Sequence, residues 1–594
     1  MSKRSKHLAQ VTFLLVGLIA FDMLIGRSLY HPLVHFYRLV SWGVCQRGVA
    51  ACDHKQTPKA VGQSAVATSH YEATRVGIEV IKAGGNAVDA AIAVGYALAV
   101  VHPCCGNLGG GGFMTLRLSD DTNRFINFRE TAPLAATPTL YQDSEGEVIK
   151  GLSTDSYLAV AVPGTVAGLE YARKAYGSGQ LTRQQLIAPA QKLANDGFVL
   201  TGPEQKLLTR ELKNNQNSEV VDIFIQEGKA IEVGDRLVQP ELGETLSLLA
   251  KNGASTFYEG EIAQKIVEAS QQHNGILTLE DFKTYQVQDI DPLTCNYRGF
   301  TILTSPPPGG GPVLCQMLNI VEGFPISQVE YYSAQHLHQM LSAMLFAYRD
   351  RNLYFGDPTF VEVPTARILS KAYAKELRSK IPKDRALELA EELSLEQKGK
   401  NTTHFSVVDK EGNAVSVTYT INTLFGAGVI APGTGFFLNN EMDDFTAKVG
   451  TANTYGLVQG SVNSIEPGKQ PLSSMAPTIV LDASNEIALV TGSPGGSTIP
   501  TTIFQIITNL VDFNLSPDRA VNQPRIHYQG SPNTVLTEPF ALPGDTFVDL
   551  WNYGYRVSPS IHWGAAMSIA RKDKKLQAIK DFRRQQAEAR AVDD

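Results

Sequence analysis

The chain has 594 residues, 43% of them apolar and 19% charged, with a formal net charge of −7. That supplies apolar residues enough for a large buried core, and the acidic balance excludes nucleic acid as the natural partner. Length alone allows several domains, but no internal repeat divides the chain.

The N-terminus carries Lys3, Arg4 and Lys6 ahead of an apolar run from Val11 to Ile25, broken by Gly17 and Asp22. A basic start followed by such a run reads as an export signal, so an extracytoplasmic, periplasmic location is expected. The segment that follows, Gly26-Arg27-Ser28, is a poor cleavage site. Residues 11–25 are therefore expected either to be removed or to stay as a membrane tether. Cys45 and Cys52 lie in this extension and are free to pair after export.

From Gly77 to Val101 the chain is apolar and Ala-rich over the length of two helices, interrupted by Asn86 and Asp89. A buried core helix is expected rather than a membrane span, with Asp89 as a capping group. Of the six cysteines, Cys104 and Cys105 are adjacent, and Cys295 and Cys315 are far apart. Buried free thiols are expected at all four. The twelve histidines show no ligand spacing beyond the bare H-x-H of His336 and His338, so no metal and no organic cofactor is implied.

Asn401-Thr402-Thr403-His404-Phe405-Ser406-Val407-Val408-Asp409 is a polar loop passing directly into a strand. Cutting the bond before Thr402 gives one residue both a nucleophilic hydroxyl and a base. That base is its new α-amine, with an unperturbed pKa of about 7.7–8.0. Lys410-Glu411-Gly412 follows as a three-residue hairpin loop. Setting Asp409 opposite Asn413 places Thr402 opposite Thr420, on a face shared with His404, Ser406, Ser416, Thr418 and Asn422. Phe405, Val407, Val415, Val417 and Tyr419 form the other, apolar face. His404 is expected to support the structure rather than to act as a base.

Further on, Asn440-Glu441-Met442-Asp443-Asp444 packs three carboxylates behind a Gly-rich turn. Ser473 and Ser474 precede an apolar strand from Ile479 to Leu481. Gly495 and Gly496 lie between a strand ending near Val490 and a helical run from Ile499 to Leu510. Paired glycines before a helix present backbone N–H groups suited to an oxyanion. The basic stretch from Arg571 to Arg584 reads as strand, solvated charged turn and strand.

With Gly84-Gly85-Asn86-Ala87-Val88-Asp89, Gly109-Gly110-Gly111-Gly112-Phe113, Phe128-Arg129-Glu130 and Pro306 to Gly311, these motifs resemble the γ-glutamyltranspeptidases, N-terminal-nucleophile hydrolases. The likeness runs from about Ala60 to Asp581. It implies an α/β (α+β) four-layer αββα sandwich, self-cleaved between Asn401 and Thr402. Residues 1–57 would be signal and linker, 58–401 a large chain and 402–594 a small one, the two products forming a heterodimer. It implies Thr402 as nucleophile, Thr420 as its hydrogen-bond partner, and Gly495 and Gly496 as the oxyanion hole. Arg129, with Ser473 and Ser474, would hold the donor's α-carboxylate. Asn422, Glu441 and Asp444 would receive its α-ammonium, under a lid carrying Tyr455 in the loop from Thr451 to Asn463. Position 441 is Glu where many bacterial members carry Gln. The implied partners are glutathione and other γ-glutamyl donors, with amino-acid or dipeptide acceptors. Two alternatives stand beside this reading. One is a glutaryl- or cephalosporin-type acylase, which has no ammonium to bind and so no need of Glu441 and Asp444; the other is an unprocessed, inactive binding homologue.

Overall fold

A computed structural model describes residues 60–593, apart from 213, 214, 216, 227, 228, 388–401 and 573. The export segment, Cys45, Cys52 and the Asn401 side of the expected cleavage lie outside the described residues.

Two seven-stranded sheets form the centre. In chain order their first strands are β1 (Ala60–Gly62), β2 (Ser64–Thr68), β3 (Gly111–Arg117), β4 (Asn123–Phe128), β5 (Gln288–Ile290), β6 (Leu293–Tyr297) and β7 (Phe300–Thr304). After residue 402 come β8 (Thr403–Val408), β9 (Ala414–Thr420), β10 (Thr478–Leu481), β11 (Ile487–Thr491), β12 (Ser568–Lys572), β13 (Lys575–Ile579) and β14 (Glu588–Val592). One sheet runs β1-β13-β12-β11-β10-β7-β6 and the other β14-β2-β8-β9-β3-β4-β5. Each sheet thus combines strands from both sides of residue 402. Neither half could complete a sheet without the other, which is the physical content of a single entangled unit.

The hairpin of β8 and β9 sits near the middle of its sheet, in the register read from sequence. Thr403 faces Tyr419 and Val408 faces Ala414, and the Asp409 N–H reaches the Asn413 carbonyl at 3.0 Å. Gly412 takes φ +93°, the left-handed conformation its loop position requires. Asp409 also accepts the N–H of Ala87 at 2.8 Å, fastening the hairpin end to the start of a helix.

That helix, α2 (Ala87–Val101), follows α1 (Tyr71–Lys82). A reciprocal capping box starts α2, in which Asn86 accepts from the Asp89 N–H and Asp89 from the Asn86 N–H. All of α2 is buried, as expected of a helix apolar on every side. α1, α2 and their neighbours cover the Phe405, Val407, Val415 and Val417 face. On the opposite flank α3 (Gly311–Glu322), α4 (Ala334–Tyr354) and α5 (Ile499–Val511) cover the other sheet. Ala65, Ala67, Val408, Ile479, Val490 and Met567 pack between the sheets. The layers are therefore helix, sheet, sheet, helix.

The polar face of the hairpin is as buried as the apolar one. Its hydroxyls are satisfied across the sandwich: Ser416 donates to the Thr491 carbonyl at 2.9 Å, and Ser406 to that of Met567 at 2.8 Å. A polar face can be buried here because the second sheet supplies the acceptors.

One expectation is corrected. Cys104 is bonded to Cys105, and Cys295 to Cys315, so these are not free thiols. Cys295 lies on β6 and Cys315 on α3, and the packing of that helix against that strand closes the sequence gap. The basic stretch is strand, exposed charged turn and strand as read, β12 and β13 joined through Lys574. Beyond it Arg583 turns inward to Glu538 and Asp581, and Arg584 donates to His102 at 2.7 Å.

Candidate active site

Thr402 is buried at the mouth of β8, and the hairpin register carried one residue outward sets it opposite Thr420. Thr420 Oγ1 accepts the Asn422 N–H at 2.8 Å. Asn422 takes φ +74°, a conformation Asn tolerates better than most residues, and the chain turns sharply there. Its carbonyl accepts the Tyr455 hydroxyl at 2.8 Å. The Tyr455 ring lies on Gly496, where an added Cβ would meet ring carbon Cε1 at 2.4 Å. The β8–β9 hairpin, the turn at Asn422, the Tyr455 loop and the paired glycines are thus joined by successive contacts.

Gly495 and Gly496 adopt φ +142° and +55° between β11 and α5. The Gly495 carbonyl is held by the Thr498 N–H at 3.1 Å. This turn suits exposed N–H groups, and only glycine reaches its dihedrals cheaply.

The charged end is assembled around Arg129, which follows β4 and is wholly buried. Its Nη1 lies 2.7 Å from Glu441 and 3.3 Å from Glu130, and its Nη2 2.6 Å from Asp444. Nε donates to the Pro471 carbonyl at 3.2 Å. The serine segment wraps this side, with the Ser473 N–H on the Pro308 carbonyl at 2.8 Å. Ser473 Oγ in turn accepts from the Met475 N–H at 3.1 Å. Asn463 bridges the halves, donating to the Asp444 carbonyl at 2.7 Å and accepting from the Leu472 N–H at 3.1 Å.

Three carboxylates thus crowd one guanidinium, with the Arg351 side chain also buried nearby. Burial opposes the Arg129 charge, but Glu441, Glu130 and Asp444 outweigh it and hold its pKa above the usual range. Burial pushes Glu130 up to about 7, against the pull of Arg129. Burial also raises Glu441 and Asp444, again opposed by Arg129. Among the described residues, neither Glu441 oxygen nor Glu130 Oε1 receives an aligned hydrogen bond. The group is short of positive charge and of donors, both of which an α-ammonium supplies.

His404 hydrogen-bonds Thr418 at 2.9 Å and Ser406 at 3.1 Å. Burial lowers its pKa to about 3, so it is a neutral strut. Gly492 leaves it room, since an added Cβ would stand 2.4 Å from the ring.

The structure therefore gathers Arg129, Glu441, Asp444, Ser473 and Ser474 in one connected region. Thr420, Asn422, Tyr455 and Gly496 join it through the lid. The Asn422 side chain, however, is committed to the Asn440 carbonyl at 2.9 Å. Sequence reading gave no role to Glu130 or Asp443. Glu130 was visible beside Arg129, but its inward direction was not. Asp443 accepts from Ser153 at 2.7 Å and from the Thr454 N–H of the lid at 3.0 Å. Ser153 is remote in sequence, so nothing local signalled that latch.

Residues 73–591 match the Gamma-glutamyltranspeptidase family. A glutathione hydrolase proenzyme of Pseudomonas sp. (strain A14) is 47% identical over 86% of this chain and 90% of its own length. That of Escherichia coli (strain K12) is 43% identical over 86% and 89%. Among solved structures, a cephalosporin acylase from Bacillus halodurans superposes with a TM-score of 0.78, at 26% identity, over 91% of this chain and 98% of that one. The Helicobacter pylori gamma-glutamyltranspeptidase gives a TM-score of 0.53 at 40% identity, over 54% of this chain and 92% of that one.

Proposed function

Since the chain belongs to the γ-glutamyltranspeptidase family, we propose that it is a self-processing glutathione hydrolase and γ-glutamyltransferase with Thr402 as nucleophile. The observation that carries this is the buried Arg129 flanked by Glu441 and Asp444. One guanidinium beside paired carboxylates matches a substrate end with a carboxylate and an ammonium on the same carbon. Such a site rejects analogues that lack either charge, because its own groups would be left unpaired. The acylase reading offers no ammonium to satisfy Glu441 and Asp444, and it ranks second for that reason.

In processing, the Thr402 hydroxyl attacks the Asn401 carbonyl, the acyl group moves from nitrogen to oxygen and so frees the α-amine, and hydrolysis of that ester releases the Thr402 hydroxyl and the Asn401 carboxylate. In turnover the amine takes the hydroxyl proton as Thr402 attacks the donor's γ-carbonyl. The N–H groups of Gly495 and Gly496 stabilise the oxyanion, and the leaving amine collects the proton. Water or an acceptor amine then releases the γ-glutamyl group from the ester. Thr420 orients the nucleophile. Arg129, Ser473 and Ser474 bind the α-carboxylate and Tyr455 closes over the donor.

The two cleavage products, residues 58–401 and 402–594, stay paired through their shared sheets. The enzyme works outside the cytoplasm, where hydrolysis salvages γ-glutamyl compounds without draining the cell's own thiol pool. Lys3, Arg4, Lys6 and residues 11–25 support export. Among the described residues no helix is long and apolar enough to cross a membrane, so any tether falls to residues 11–25.

Release of a chromogenic amine from a γ-glutamyl anilide, with and without a dipeptide acceptor, tests the activity. Thr402→Ala should remain one polypeptide of up to 64.5 kDa, with no turnover. Normal two-chain maturation of that variant would overturn the assignment.

A further inference from the structure

Cys104 and Cys105, just past the end of α2, lie directly against the turn that leaves β9. The Cys105 carbonyl accepts the Ile421 N–H at 3.0 Å, and the Cys104 carbonyl accepts the Phe425 N–H at 2.9 Å. These two bonds bracket Asn422, whose own carbonyl holds the lid tyrosine. On the same strip, Gly110 is packed so closely on the Thr420 carbonyl that an added Cβ would stand 1.9 Å from it. The segment from Cys104 to Gly110 is therefore the bed on which the Thr420–Phe425 turn rests.

The two sulfurs are bonded to each other. A disulfide between sequence neighbours closes a small ring through the peptide that joins them, so it constrains the direction of the Cys104 carbonyl, which holds Phe425. Reduction opens that ring and lets this carbonyl rotate. His102 provides the surrounding chemistry, with both ring nitrogens 3.6 Å from Cys104 Sγ. Its Nε2 is 2.7 Å from the Arg584 guanidinium, which can only donate. The imidazole therefore carries its proton on Nδ1, the ring nitrogen left to donate toward Cys104 Sγ. The pair is buried, but Pro103 on one side and Thr423 and Leu424 across the two hydrogen bonds are half-buried. A small thiol therefore reaches the sulfurs only when this turn opens.

We propose that Cys104–Cys105 is a thiol-responsive redox site, with small thiols as its ligand class, whose oxidation state sets the donor-binding turn. A thiolate attacks Cys105 Sγ, the Cys104–Cys105 bond breaks, and Cys104 leaves as thiolate beside His102. A second thiolate then attacks the mixed disulfide, releasing the oxidised thiol and the Cys105 thiolate. Two electrons pass from two thiols to the pair, and the two cysteine thiolates take up the two protons. The proposal rests on the γ-glutamyl reading for its activity readout only.

The test uses the full protein purified without reductant, with dithiothreitol as the probe. Alkylation and mass spectrometry should find Cys104 and Cys105 unlabelled before treatment and labelled after it. Hydrogen exchange of the peptide covering residues 420–425 should accelerate on reduction, whatever the substrate is. The KM for a γ-glutamyl anilide should rise on the order of tenfold, as expected for a small misplacement of binding groups. Cys295→Ser/Cys315→Ser should respond like the wild type, and Cys104→Ser/Cys105→Ser should not respond at all. If the latter variant fails to mature, reoxidation of the reduced wild type should restore slow exchange and low KM. Labelling before treatment, or unchanged exchange after reduction, would overturn the proposal. An oxidised enzyme with no γ-glutamyl turnover would instead count against the functional reading, while the exchange result still decides the redox site.

Discussion

Two clusters of buried charge lie in this molecule, and they are built on opposite principles. Around Arg525 and Arg583, two guanidiniums meet two carboxylates. Arg583 reaches Glu538 at 2.5 Å and Asp581 at 3.1 Å, and Arg525 reaches Asp581 at 2.5 Å. Backbone N–H groups of Arg525, Trp563, Ala566 and Arg583 fill the remaining carboxylate positions. Burial would raise the pKa of Glu538 and Asp581, yet Arg583 and Arg525 outweigh it and hold both below the usual range. Around Arg129 three carboxylates crowd one guanidinium, and all three are raised. A balanced cluster is finished structure. An unbalanced one is short of positive charge, and on the proposed function the γ-glutamyl ammonium is the cation that would supply it.

The sharpest way to break this comparison is to remove a charge from the unbalanced cluster. Truncating one member of a desolvated pair costs about 2–5 kcal/mol. Arg129→Ala and Asp444→Ala should therefore lose most γ-glutamyl turnover while still cutting themselves into two chains. The cut uses an internal peptide, which has neither a free α-carboxylate nor an α-ammonium. Steady-state kinetics and a denaturing gel on the same samples read both effects. Near-normal kinetics in both variants would mean the zwitterion site has been misplaced.

The balanced cluster should answer in stability instead. Arg583→Met strands the Glu538 carboxylate while Asp581 keeps Arg525, and breaking such a pair costs about 3–5 kcal/mol. The thermal midpoint should fall clearly, while the enzyme that survives keeps the wild-type KM. A raised KM with unchanged stability would make this cluster part of the site.

Legibility in the sequence followed the same divide. Alternation gave the β8–β9 hairpin with its register, because period and turn chemistry are local. Asp89 as a capping group was legible for the same reason, as were the strand after Ser474 and the strand before Gly495. Partners far apart in sequence were not. Arg583 and Glu538 are two charged residues among many until the fold brings them together, and nothing local showed that Arg584 meets His102. Cys295 and Cys315 seemed too far apart to bond, although a strand and a helix packing together close such gaps routinely. The site residues were named through the family resemblance, and only the structure revealed that Glu130 joins them.

The clusters should also separate by pH. Depressed carboxylates such as Glu538 and Asp581 contribute stability that is present above the ordinary carboxylate range. It is lost as pH falls through their folded values. Glu130 has the opposite sign, raised from 4.5 to about 7. The fold then binds its proton more tightly than the unfolded chain does, so its contribution is full below about 4.5 and lost as pH rises to about 7. A bound ammonium needs these carboxylates ionised. The rise in thermal midpoint given by a γ-glutamyl ligand should therefore grow as pH rises through about 7. A ligand-induced rise that stays flat across that window would remove the charge deficit from the account.

The smallest effect is expected from Glu441→Gln, and its sign is what matters. Glu441 has both oxygens buried without an aligned hydrogen bond, in contact with Arg129 but crowded by Glu130 and Asp444. An amide of the same shape removes one negative charge and brings two N–H donors toward the remaining carboxylates. An unsatisfied buried group costs about 1–3 kcal/mol, so the ligand-free variant should be more stable than the wild type by about 1 kcal/mol. Asp444 still faces the ammonium, so turnover should persist with a modestly higher KM and a shallower pH dependence of ligand stabilisation. Thermal unfolding without ligand, beside KM on one γ-glutamyl anilide, measures both. If Glu441→Gln were instead destabilised as Arg583→Met should be, Glu441 would belong with Glu538 as finished structure. The contrast between the two clusters would then lie in geometry rather than in charge.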